Sequence, residues 1–346
     1  MMKCLVNLEE YARAIDLYLE VAERQTHNDR THTMFLKSCV ELGDFEKCRS
    51  LADWLRKPQN AASCSVELVN ALMDYFGKLG DLETAESLMR EVLGDKRDTA
   101  SVNTLMNAFN ANGEHDKALA LFGETVFADA YSYCIALNAC GLGMRLQKGQ
   151  IIVDELQKSE NRDILRHPHV QCALIGFHAK CSQFEEAERL FRENVENYSD
   201  AKDVVSLYAA MMDCLAKMGK VDEVLRLFEQ LKSEKGAKIT NNVRCVVLNA
   251  CAQTGRTAEA VAIFEEAKAT QAIMAPHILN AIIDALARGN QIDDAVRIYR
   301  EHCEGNGGIF IKFKRSMLLS MLSACRIHSD GVRAEEVTEL MAQLEK

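Results

Sequence analysis

Three short clusters in the chain have residue types that chemistry uses. His302-Cys303-Glu304 has the His-x-Glu spacing in which a zinc deaminase sets a metal ligand beside a proton-shuttling acid. That chemistry also needs a Pro-Cys-x-x-Cys pair, and no Cys-x-x-Cys follows in the remaining 42 residues. His178 and Cys181 stand at i,i+3, so one helix face would present both to a metal. No second pair of ligands is evident near them. His167-Pro168-His169 reads as a loop. Phosphate-binding glycine loops, nucleophile elbows and dinucleotide fingerprints are absent, as is the aspartate cluster of an endonuclease. The residues predict a binding module with no catalytic centre, no metal and no cofactor.

The elements that would position a binding surface follow from composition and period. The 346 residues are 48% hydrophobic, enough for a large core, with only 3 Pro, 18 Gly and 6% aromatics. Leu, Ala, Met, Glu and Lys dominate, which favours helices throughout. No apolar run reaches the roughly 18 to 20 residues that cross a bilayer, so a soluble protein without membrane contact is expected. The 13 cysteines are odd in number, contain no Cys-x-x-Cys and follow no secretory signal, so they read as reduced thiols packed as small apolar residues.

Nine anchors recur along the chain: Thr33, Asn70, Asn103, Cys134, Cys172, Ala209, Cys245, Asn280 and Leu319. Their spacings run from 31 to 39 residues. Three places after each anchor stands a large aliphatic residue, from Leu36 and Met73 to Leu322. Fifteen places after comes a small one in eight of nine cases, and eighteen places after an aliphatic one every time. The two aliphatic columns are the buried stripes of two helices, and the small column lets those helices approach closely. Ten places after the anchor the column reads Gly43, Gly80, Gly113, Met144, Ser182, Gly219, Gly255, Asn290 and Ser329. A left-handed residue closing the first helix wants glycine or asparagine. Asp81, Glu83 and Asp222 then fall where the second helix begins and favours acids.

Each unit is thus helix, tight turn, helix, and one such pair cannot bury its own apolar face. The expected fold is all-α: a right-handed superhelical solenoid of about nine antiparallel helix-turn-helix repeats, forming one array over 1–346 with a concave groove. Its boundaries are 1–26 (a partial repeat), 29–65, 66–98, 99–129, 130–167, 168–203, 204–240, 241–275 and 276–314. A degenerate repeat or extension motif over 315–346 completes it. Ala14, Leu17 and Tyr18 fit the second half of a unit, so the chain is expected to start inside a repeat as a fragment. The early acids Glu9, Glu10, Asp16 and Glu20 are unlike a transit peptide.

The tetratricopeptide pattern of Trp-x-x-Leu-Gly with a closing Pro does not fit, because the single Trp54 lies elsewhere. Residues 69–89 and 102–122 instead resemble the ordinary unit of the pentatricopeptide-repeat family. Residues 132–141, 172–191 and 248–267 resemble its longer and shorter variants, and 321–337 the extension motif that follows such arrays in plant organellar editing factors. The resemblance covers essentially the whole chain.

It implies a sequence-selective binder of single-stranded RNA, each repeat reading about one base through its anchor and its last residue. Carried over, Asn70 pairs with Asp98 and Asn103 with Asp129, and an Asn–Asp pair implies uracil. Both members also have an ordinary reading as helix caps. Thr33 with Ser65, and Asn280 with a basic residue near Lys314, do not match the usual code; the Cys, Ala and Leu anchors offer weak base-edge bonding. Lys78, Lys180, Lys217 and Arg288 recur eight places after their anchors, as a line of backbone contacts or as complements to helix C-termini.

Acids exceed bases by 51 to 41, which sits awkwardly with a polyanionic partner. The alternative expectation is a helical-repeat scaffold holding a protein or peptide in its groove. The resemblance further implies organellar RNA processing, editing or stability, mitochondrial or other, with a possible protein partner or separate catalytic subunit.

Overall fold

The computed structural model describes residues 2–8, 10–22, 29–61, 64–125, 127–198, 200–234, 237–270, 275–303 and 311–344, none of them in a strand. The chain divides into two compact units, 1–181 and 182–346, at the turn inside the 168–203 repeat. In the first unit α1 (Met2–Asn7) precedes α2 (Tyr11–Ala22), and α3 (Asp29–Leu42) pairs with α4 (Phe45–Leu55). A single turn, α5 (Pro58–Ala61), leads into α6 (Val66–Leu79) and α7 (Leu82–Ser87), which continues as a π-helix over Leu88–Leu93. Then α8 (Thr99–Ala111) pairs with α9 (His115–Gly123), and α10 (Ala130–Leu142) with α11 (Leu146–Leu156). The short α12 (Arg162–Leu165) precedes α13 (Pro168–Lys180).

The second unit opens with α14 (Phe184–Asn197), followed by α15 (Ala201–Lys217) with α16 (Val221–Ser233) and α17 (Asn241–Thr254) with α18 (Thr257–Thr270). It closes with α19 (Pro276–Arg288) and α20 (Ile292–Cys303), then α21 (Ile311–Ile327) and α22 (Gly331–Leu344). Helices α15 and α21 start ahead of the repeat boundaries expected at 204 and 315. His167-Pro168-His169 is no loop: His167 caps α13, its Nδ1 accepting from His169 N at 3.3 Å, and Pro168 takes the first helical position. The fixed φ of proline suits that position, where no N–H is needed.

The expected columns form the core. Met73, Met106, Leu137, Ile175, Met212, Leu248 and Ile283 are fully buried, and so are Cys48, Ala85, Ala118, Ala187, Val224, Ala260 and Ala295 opposite them. All nine turn residues adopt positive φ, including the non-glycines Met144 (52°), Ser182 (62°), Asn290 (60°) and Ser329 (57°). A side chain there is disfavoured by about 1–2 kcal/mol, part of which glycine's own flexibility offsets. Met144 is 69% exposed and packs little. Met144→Gly is therefore expected to raise stability by about 0.5–1 kcal/mol, read as a higher urea midpoint at unchanged slope. A lower midpoint would mean that the methionine is held by something other than its backbone.

Within each unit the first helices of successive repeats lie directly against one another: α3, α6, α8, α10 and α13 in one, α15, α17, α19 and α21 in the other. Second helices pack on first helices and stand farther apart from each other. Each unit consequently has an inner layer of first helices. Two amides hold that layer in register: Asn112 Nδ2 donates to Gly77 O at 2.7 Å, and Asn110 Nδ2 to Ile135 O at 3.1 Å. These bonds tie α6 to α8 and α8 to α10.

Candidate nucleic-acid interface

Asn70 and Asn103 occupy the fifth positions of α6 and α8, inside the inner layer and too far along to be caps. Their partners do cap. Asp98 begins α8, accepting from Ser101 N at 2.8 Å, and Asp129 begins α10, accepting from Ser132 N at 2.8 Å. In both, the serine hydroxyl completes a reciprocal capping box.

At Asp129 the cap also meets the anchor of the preceding repeat. Asn103 Nδ2 donates to Asp129 Oδ1 at 3.3 Å, across 26 residues of sequence. A carboxylate only accepts, so the amide must turn its nitrogen toward Asp129 and its oxygen away. That oxygen, Asn103 Oδ1, is buried and has no hydrogen-bond partner in the protein, and Asn70 Oδ1 is the same. Between Asn70 and Asp98 no hydrogen bond forms. A buried acceptor left unpaired is unfavourable by about 1–3 kcal/mol, and two of them stand at the same position of neighbouring repeats.

Partial burial of Asp129 works against its charge, but the Ser132 backbone N–H, the Ser132 hydroxyl and the Asn103 amide outweigh it and hold the carboxyl below its usual range. A carboxyl depressed on folding contributes stability above its unfolded pKa and loses it as pH falls through the lowered folded value. The cap and the amide orientation are thus in place at neutral pH and fail only in acid.

The remaining anchors differ. Thr33 is exposed and its hydroxyl donates to Asp29 O at 2.8 Å, while Ser65 caps α6 by accepting from Leu68 N at 3.3 Å. Asn280 is half-buried on α19, and Lys314 is buried near the start of α21. Burial pushes the Cys134 and Cys245 thiols up to about 11, so they stay neutral.

Three members of the basic line carry a carboxylate one turn back: Lys78 with Asp74, Lys217 with Asp213, and Arg288 with Asp284 at 2.8 Å. Lys180 instead meets the neutral Asn138. Sequence reasoning missed these aspartates, although i,i+4 spacing on a helix would have disclosed them. It also missed Tyr131, 58% exposed beside Asp129, whose hydroxyl accepts from Asn107 Nδ2 at 2.9 Å. A lone aromatic two places after Asp129 was its only signal.

Charge is sorted by helix. In unit 1–181 the inner helices α3, α6, α8, α10 and α13 carry four bases and four acids, and α8 and α10 carry none. Second helices α2, α4, α7 with its π-helix, α9 and α11 carry six bases against ten acids. In unit 182–346 the inner helices carry eight bases against three acids, and the second helices eight against seventeen. The acid excess of the chain therefore belongs to its second helices.

No group of three His, Cys, Asp or Glu among the described residues could hold a metal ion, and no described helix is long and apolar enough to cross a membrane. His178 is buried against Phe177, and Cys181 caps α13. Glu304 of the His-x-Glu triplet lies outside the described residues.

The family model described as PPR repeat matches residues 67–96, 100–126 and 172–193, and one described as pentatricopeptide repeat-containing protein matches 202–302. The chain is a pentatricopeptide-repeat protein. Two of the matched repeats are those of Asn70 and Asn103. Pentatricopeptide repeat-containing proteins of Arabidopsis thaliana are similar along most of the chain. One, named as mitochondrial, is 27% identical over 95% of this chain and 49% of its own length. Another is 23% identical over 98% of this chain and 54% of its own length. Against three of these relatives the pentatricopeptide array spans only 32–49% of their length. Among solved structures, PPR10, a pentatricopeptide repeat protein from maize, is similar in its complex with an 18-nt psaJ RNA element. That likeness has a TM-score of 0.50 and 15% identity, over 99% of this chain and 54% of PPR10, and is one of fold.

Proposed function

We propose that this array binds single-stranded RNA selectively in organellar RNA processing, with Asn70 and Asn103 reading neighbouring bases. The observation that carries the reading is the pair of buried, unpartnered amide oxygens on α6 and α8. An acceptor held in that orientation selects a base whose edge offers an imino N–H and repels one that offers a lone pair. Uracil meets that requirement, and the family resemblance points to it. Asp129 acts as a positioning residue by fixing the Asn103 amide, and Asp98 stands at the matching place of the preceding repeat. The exposed ring of Tyr131 gives a base a face to stack on.

The charge pattern supports RNA over a peptide partner. Summed over each unit the inner helices are neutral or basic, so phosphates meet no overall acid excess there. Three members of the basic line would first have to leave their aspartates before they met a phosphate. The mitochondrial name of one relative and the RNA in the PPR10 complex accord with this assignment.

Fluorescence anisotropy with short single-stranded RNAs tests it. Uracil-containing RNA is expected to bind with a steep salt dependence, and RNA with cytosine or adenine at the two read positions more weakly. Absence of binding at low salt, about 50 mM, overturns the reading, because phosphate contacts are strongest there. Tyr131→Ala is expected to weaken binding about tenfold, as loss of one stacking platform does. An unchanged affinity would remove the tyrosine from the interface.

A further inference from the structure

The acids of the second helices outnumber the bases, and the bases among them are mostly occupied. In unit 182–346, Lys232 bridges to Glu266 at 2.6 Å, Lys268 to Glu301 at 2.7 Å and Arg300 to Glu336 at 2.9 Å, each pair linking second helices of successive repeats. Of the bases on these helices, Arg226 is the one with no carboxylate partner among the described residues. Glu185, Glu196, Glu265, Glu335 and Glu339, in contrast, are exposed and make no ion pair among the described residues. The cations stitch repeats together, and the uncompensated charge facing solvent is negative.

We propose that this acid surplus sets specificity: it repels the phosphate backbone from the second helices and confines RNA to the inner layer. The inference rests on the RNA-binding reading above. Its physical basis is range. At physiological salt a charge is screened over about 8 Å. Packed helix axes lie about 8–10 Å apart. A phosphate docked on second helices therefore feels these glutamates fully, whereas one on the inner helices feels them weakly. Most non-specific affinity for nucleic acid comes from phosphate neutralisation, independent of sequence. With only two asparagines to discriminate bases, phosphate binding on the wrong side would swamp the readout. Raising the energy of the wrong complex preserves the ratio of affinities without any new contact to the right one.

The test uses the full chain with Glu185→Gln, Glu196→Gln, Glu265→Gln, Glu335→Gln and Glu339→Gln combined. A second variant carries Asp at the same five positions, which keeps the charge, and both are checked for an unchanged melting curve. RNA lacking uracil should bind the glutamine variant about tenfold more tightly than the parent at about 150 mM salt, where the screening length is about 8 Å, with a steeper salt dependence. Uracil-containing RNA should gain less, so selectivity falls, and the aspartate variant should match the parent. Unchanged binding of uracil-free RNA by a folded glutamine variant overturns the proposal, as does an equal gain in the aspartate variant. Failure of base reading is separately visible: Asn70→Ala/Asn103→Ala would then leave selectivity unchanged, whatever the glutamates do.

Discussion

Gly149→Val is expected to destabilise unit 1–181 by about 3 kcal/mol or more, at the upper end of what overpacking a core does. Gly149 is the small residue of its repeat and sits on α11 directly against α13. A Cβ built there would lie 2.2 Å from both Cε2 and Cζ of Phe177. Phe177 is 1% exposed, so its ring has no solvent to swing into, and the helices must separate instead. For a unit of this size the loss corresponds to a fall in Tm of roughly 10 °C, measurable by circular dichroism. Even Gly149→Ala should be costly, in contrast to the alanines that fill this column elsewhere. Phe177→Leu in the Gly149→Ala background should restore part of the loss, because the smaller side chain vacates the site of collision. Strict additivity of the two substitutions would show that the ring contact is not the cause.

Asn70→Ala/Asn103→Ala is expected to lower affinity for uracil-containing RNA about 100-fold, roughly tenfold for each base-edge contact removed. Binding of RNA with other bases should hardly change, and the salt dependence should keep its slope, because no phosphate contact is lost. The same double substitution should leave stability little changed, because the lost Asn103–Asp129 hydrogen bond is offset by the removal of two unpaired acceptors. Each asparagine buries an acceptor that folding leaves unpaired, and alanine has none to bury. Loss of function with preserved stability is the signature of groups held ready for a ligand. Equal weakening on every sequence would show that the two amides support the inner layer and do not read bases. Lys180→Ala should behave in the opposite way, weakening all sequences alike and reducing the salt slope by about one.

The repeat register, the helix pairs and the left-handed turns were legible in the sequence. Each depends on residues within a few positions of one another: an aliphatic stripe at helical period, a small residue facing it, a turn residue at positive φ. Even Met144 and Ser182, poor candidates by type, take the left-handed conformation their place in the column predicted. The turn is over-determined by the two helices it joins. Asp98 and Asp129 were also readable as caps, since a cap is settled by the following three residues.

Tertiary structure decided what crosses between repeats. That Asn103 reaches Asp129 depends on how α8 and α10 pack, and no local rule reports the burial of an amide oxygen between them. The ion pairs that neutralise Lys78, Lys217 and Arg288 could have been found by helical spacing, yet their meaning for the interface emerges only once the inner layer is in place. The net charge of −10 hides its distribution for the same reason. A single sum over the chain cannot distinguish the side of a helix pair that meets a partner from the side that does not, and electrostatic forces in salt water act only over the shorter of those distances.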